Sequence, residues 1–146
     1  LWLSFVLIEA SLDFQGDPEA VWGRLSDVER IPEYWHGTKS LKVLERQDCK
    51  VVADAKFAFG GSGRVEISAD AASKTLVQKF LSGPFTGTQT VKVVGNKLEA
   101  RWDIEFHGLF KIGSGRTAGH FRSGTVHALE RLSSGQTELA GQRTHA

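Results

Sequence analysis

Five histidines are the first residues to test for chemistry, because imidazole is the side chain that gives and takes protons near neutral pH. His120 and His127 stand seven residues apart in what reads as the last helix. At 100° per residue they fall with Arg116, Ser123, Glu130 and Arg131, opposite an apolar arc, so they are expected on the solvated face. His107 follows an alternating strand on its outward parity, and His145 lies in the polar tail. His36 has the best placing, since Tyr34-Trp35-His36 closes a short helix beside the layer where a cavity would open. Its expected role is a ligand anchor. Metal ligation has no supporting pattern: His-x-x-x-His, His-Glu-x-x-His and clustered Asp are all absent, and no metal is expected. Gly60-Gly61-Ser62-Gly63 lacks the Lys-Ser/Thr of a phosphate loop and sits between two strands, so it reads as a hairpin turn. Ser114, in Gly113-Ser114-Gly115, lacks the strand-to-helix setting of a nucleophile elbow.

The other chemically informative set is aromatic. Phe57, Phe59, Phe85, Trp102, Phe106 and Phe121 carry inward parity or helical phase, with Tyr34 and Trp35 near the expected mouth. Such a set can pack as core or line an apolar pocket. Gln89 shares a strand face with Phe85, Val91 and Val93, which makes it an inward polar group able to orient a carbonyl or hydroxyl. Thr125 and Leu129 complete a helix stripe facing the sheet.

The elements that must position these residues are legible from periodicity. Residues 98–106, Leu-Glu-Ala-Arg-Trp-Asp-Ile-Glu-Phe, alternate apolar and charged throughout. Leu98, Ala100, Trp102, Ile104 and Phe106 therefore share one face of a half-buried antiparallel strand. Further strands are expected over residues 5–14, 40–46, 51–59, 63–69, 75–81 and 85–94, with Gly95-Asn96 as a two-residue hairpin turn. Asp17 before Pro18 caps a short helix that buries Val21, Trp22 and Leu25. Ser26-Asp27-Val28-Glu29 fits a capping box opening a second short helix. A long amphipathic helix spans about residues 116–132, and residues 133–146 are expected to fray.

Composition sets the bounds. The 146 residues are 40% hydrophobic, a single-domain length with enough apolar mass for a core, and one domain over residues 1–146 is expected, its core at 5–132. A net charge of +1 gives no electrostatic reason to expect nucleic acid. The lone Cys49 excludes an internal disulfide and a zinc-thiolate site, and a cytoplasmic setting is the default expectation. Residues 1–8 are apolar but much shorter than the roughly 20 residues of a membrane span, and they lack the pattern of a signal peptide. They read as the start of the first strand. Because the chain contains no Met, the initiator is expected to lie outside it, with a few further N-terminal residues.

The order strand, two short helices, six strands, long helix resembles the START and birch-pollen-allergen type of helix-grip fold, the superfamily that includes polyketide cyclase/dehydrase-like proteins. The wording Asp17-Pro18-Glu19-Ala20-Val21-Trp22, Leu25-Ser26-Asp27 and Ile31-Pro32-Glu33-Tyr34-Trp35 is similar to that superfamily's N-terminal signature, and Ala128-Leu129-Glu130-Arg131-Leu132 to its helix end. The resemblance covers about residues 5–132. It implies an α+β fold whose curved sheet grips the long helix around a cavity for a lipid, polyketide or aromatic molecule, without a metal or bound cofactor. Residues 109–112, apolar and just before the last helix, would then act as a lid. The expected function is binding or carriage of a small hydrophobic molecule. The alternatives are a cyclase/dehydrase-type enzyme and a module that binds a protein partner. No nucleic acid and no integral membrane segment are expected, and a homodimer stays open as an option.

Overall fold

The computed structural model describes residues 5–108 and 114–138. Seven antiparallel strands, β1 (Phe5–Asp13), β2 (Thr38–Arg46), β3 (Lys50–Phe57), β4 (Ser62–Asp70), β5 (Thr75–Phe80), β6 (Phe85–Val94) and β7 (Lys97–Phe106), form one sheet in the order β1-β7-β6-β5-β4-β3-β2. All the pairings but one join strands adjacent in sequence through hairpins. The exception is β1, which pairs in register with β7, Ile8 opposite Trp102 and Leu12 opposite Leu98. Between β1 and β2 run α1 (Pro18–Leu25), a 3-10 turn (Val28–Arg30) and the single-turn α2 (Ile31–Tyr34), and α3 (Ser114–Ser134) follows the sheet.

Period-two alternation decides the sheet's faces. Along β7, Leu98, Ala100, Trp102, Ile104 and Phe106 are buried while Glu99, Arg101 and Asp103 are exposed. Gly87 lets β6 follow the bend of the sheet: its φ of +127° is a backbone conformation that side-chain-bearing residues rarely adopt, and an added Cβ would run into the backbone oxygen of Asp103.

At the helical end, the Asp17 side chain accepts from the Glu19 N–H at 3.1 Å and Pro18 takes the first helical position. The capping box does not form. Ser26 Oγ donates to the Trp22 carbonyl at 2.8 Å, so Ser26 ends α1 rather than opening the next helix, and Asp27 makes no side-chain cap. Trp22 is only partly buried, against the expectation that it packs as fully as Val21 and Leu25. Arg24 reaches across to α3, its Nη1 donating to the Leu132 carbonyl at 2.7 Å. A cation at a helix C-terminus meets both the unpaired carbonyls and the negative end of the dipole. The core between the layers includes Ile8, Val21, Leu25, Ile31, Leu98, Ala128, Leu129 and Leu132. Of the tail expected to fray over 133–146, Ser133 and Ser134 continue α3 instead; residues beyond 138, like the lid expected at 109–112, lie outside the described residues.

Candidate functional site: a cavity between sheet and helix

Beside that core, the concave face of the sheet and α3, from Thr117 to Arg131, border a cavity of about 480 Å³. This lies within the usual range for small-molecule sites. Its walls are aromatic. Phe85 sits at the centre, 4.7 Å from Phe80 and 5.0 Å from Phe57 between ring centroids, and meets Phe121 of α3 edge-on at 5.2 Å. Trp102 stacks on Phe80 at 5.8 Å and meets Phe121 edge-on at 5.1 Å. Phe59, just past β3, stacks on Phe57 at 5.5 Å while staying 41% exposed, which puts it at the opening. Offset and edge-on pairs of this kind favour fixed ring positions over a fluid lining.

Polar groups interrupt the aromatic wall at three places. On the sheet, Gln78 of β5 and Gln89 of β6 face each other, and Gln78 Nε2 donates to Gln89 Oε1 at 2.7 Å. On the helix, Thr125 Oγ1 accepts from Trp102 Nε1 at 2.8 Å and donates to the Phe121 carbonyl at 2.6 Å, so the indole is pinned. A stripe of Thr117, His120, Gly124, His127 and Arg131 forms the third. Arg131 is 2% exposed and its Nη1 donates to the Tyr34 carbonyl at 2.8 Å, tying α3 to the end of α2. Burial pulls its guanidinium below the usual arginine value and neighbouring Glu130 pulls it back.

Nine of the residues singled out from sequence meet at this cavity: Trp35, His36, Phe57, Phe59, Phe85, Gln89, Trp102, Phe121 and Thr125. Tyr34, Phe106 and Leu129, expected with them, do not line it. Tyr34 is buried under the Arg30 guanidinium, which lies 5.3 Å above its ring; Phe106 packs behind Phe121 at 5.3 Å; Leu129 is sealed in the core. His36 is exposed at the rim, and its Nε2 lies 2.9 Å from the Glu33 carbonyl. His107 pairs with Thr86 instead, Oγ1 to Nε2 at 2.8 Å.

The placing of Arg131 on a solvated face is corrected: it is buried and lines the cavity, because a sheet that wraps a helix covers more of its circumference than one apolar arc. His120 is exposed, as expected, and His127 half-buried, and both line the cavity from that side. The signal was the spacing 117-120-124-127-131, a second stripe flanking the apolar one. Gln78 and Phe80 were also missed, although Leu76, Gln78 and Phe80 share inward parity on one short strand. Thr38 and Gly37 join the lining from the start of β2, where no pattern marked them.

This arrangement of a curved antiparallel sheet around a C-terminal helix is the helix-grip fold. Over residues 15–125 the chain matches the family described as polyketide cyclase/dehydrase and lipid transport, and it belongs to that family. Among solved structures it is similar to the Zhui aromatase/cyclase of Streptomyces sp. R1128, with a TM-score of 0.71 at 15% identity over 97% of both chains. It is also similar to a protein of Thermus thermophilus, at 0.68 and 16% over 89% of this chain and 99% of that one. A START superfamily protein of Mycobacterium smegmatis follows at 0.61 and 17%, over 86% and 98%. No curated protein matches the chain by sequence. Among the described residues no helix is long and apolar enough to cross a membrane.

Proposed function

We propose that this domain binds a flat, mainly hydrophobic molecule of a few fused rings in the cavity between the sheet and α3, and carries or presents it without a covalent step. The observation behind this reading is the aromatic wall of Phe57, Phe80, Phe85, Trp102 and Phe121 around about 480 Å³ of space. Rings held edge-on and stacked offer flat faces to a flat ligand, and burying its apolar surface is worth about 25 cal/mol per Å² before the cost of immobilising it. Phe106, 5.3 Å from Phe121, supports this lining from behind. Membership of a family described by lipid transport as well as cyclisation agrees with carriage.

A second reading has one observation in its favour. His120, His127 and Arg131 reach the same cavity, and an imidazole beside a buried cation could polarise a carbonyl and move a proton. The Streptomyces neighbour is an aromatase/cyclase, and the same class of reaction here would be ring closure with loss of water. Native mass spectrometry of the purified chain, with organic extraction of whatever it holds, tests the first reading. Recovery of a hydrophobic small molecule at one per chain is expected, and exclusion of every apolar dye would overturn it. Incubating the recovered molecule with fresh protein separates the two readings, since a product lighter by one water selects the enzyme.

A further inference from the structure

One row of paired residues crosses the concave face of the sheet: Val51, Ile67, Gln78, Gln89, Trp102 and Ile8, each opposite the next on neighbouring strands. Two amides sit in the middle of a row that is otherwise apolar. They are 2% and 1% exposed, and both line the cavity. Gln78 satisfies Gln89 Oε1, but Gln89 Nε2 is buried with no hydrogen-bond partner. The nearest polar neighbour in the row, Trp102 Nε1, is itself a donor and already occupied by Thr125. A primary amide in such a place is costly, because buried donors in folded proteins are almost always paired. A Leu or Val would fit the row's parity without that cost.

We propose that Gln89 Nε2 is the hydrogen-bond donor that reads the ligand, so that the site selects a flat molecule carrying a carbonyl oxygen at its buried end over a hydrocarbon of the same shape. This deepens the proposed function and rests on its cavity. Gln78 is the positioning residue: it holds Gln89 Oε1 and thereby leaves the amide nitrogen as the group with a hydrogen bond still to make. The rest of the wall supplies area without discrimination.

The probes are fluorene, 9-fluorenone and 9-fluorenol, one tricyclic skeleton with a methylene, a carbonyl and a hydroxyl at the same carbon. Their affinities are read by displacement of an apolar fluorescent dye from the full chain. Fluorenone is expected to bind more tightly than fluorene. The ratio should fall by about threefold to tenfold, the worth of one neutral hydrogen bond, in the double variant Gln78→Leu/Gln89→Leu, which removes both amides and strands neither. Fluorene binding should persist in that variant. The carbonyl stretch of fluorenone bound to the unaltered chain should also move to lower wavenumber than in hexane, a readout that needs no variant to fold. An unshifted stretch, an unchanged ratio, or no preference for fluorenone in the unaltered chain overturns the inference and leaves the proposed function standing. A preference for fluorenol that the double variant abolishes overturns it too, because the amides would then be turned to present oxygen. Failure of the dye and of all three probes to bind overturns the proposed function itself.

Discussion

The two halves of α3 face the same sheet and do opposite things with it. The C-terminal half carries Ala128, Leu129 and Leu132, all essentially inaccessible, and is tied down by Arg24 on its last carbonyls and by Arg131 on the end of α2. The N-terminal half brings Thr117, His120, Phe121 and Gly124 to the cavity. A Cβ added at Gly124 would meet nothing within 4 Å. One half fills the space between the layers; the other leaves it open. The difference is side-chain volume along a single helix, which means that stability and ligand binding should respond to separate sets of substitutions.

The largest effect is expected in the filled half. Leu132→Ala removes a fully buried branched side chain from the core, and should destabilise by about 2–5 kcal/mol. Denaturant unfolding checks the size, and dye affinity measured well below the midpoint should be unchanged. A parallel loss of affinity would mean that the two halves are one unit. The same logic lowers the expectation for Trp22→Ala. Its side chain is only partly buried, so the loss should fall below the about 3–5 kcal/mol typical of a sealed aromatic.

Arg131 sits at the boundary of the comparison, since it both anchors the filled half and lines the open one. Arg131→Met keeps much of the packing volume but leaves the Tyr34 carbonyl without this donor, so a loss of about 1–3 kcal/mol is expected. If the cation also faces the ligand, binding of an anionic probe such as 8-anilinonaphthalene-1-sulfonate should weaken more than that of a neutral one. Equal weakening would assign Arg131 to the scaffold alone.

The open half gives the opposite signature. Gly124→Leu places a side chain into free space on the cavity stripe and replaces a poor helix former, so stability should rise by as much as about 1 kcal/mol. Affinity for a ring-sized dye should fall at least tenfold. Thr125→Trp is a harsher version, because it also breaks the bond that pins Trp102. A Trp at Leu129 would overpack the core instead of filling the cavity. Undiminished dye binding in Gly124→Leu would place the site elsewhere.

How much of this could be read from the residues follows from the kind of signal each element carries. Strands announce their faces through strict alternation, as β7 does, and the turns announce themselves through Gly and Asn. The order of strands and helices was therefore legible, and the helix-grip architecture followed from what that order resembles. Helical phase was a weaker guide. A 100° projection sorts α3 into an apolar and a polar arc, but the sheet's curvature brings part of the polar arc inside, which is why Arg131 was misplaced. Which inward residues line space and which fill it depends on distances between layers. Phe106 and Phe121 carry the same inward signal, yet one lies behind the other.

The smallest effect is expected at His36, the histidine that sequence placed best. It is exposed at the rim, and its ring nitrogen is already 2.9 Å from the Glu33 carbonyl, one helical turn back. To engage a ligand it must exchange that contact for a new one, so the net gain is at most one hydrogen bond. His36→Ala should therefore change dye or fluorenone affinity by no more than about 0.5–1.5 kcal/mol and leave the unfolding midpoint nearly unmoved. The contrast with Gln89 is the sharpest form of the comparison between closed and open surroundings. A rim group competes with water and with its own backbone, whereas a buried donor has nothing else to bind. Measured side by side, the fluorenone-to-fluorene ratio should fall in Gln78→Leu/Gln89→Leu and stay constant in His36→Ala. A ratio that collapses in His36→Ala instead would move ligand recognition from the floor of the cavity to its mouth.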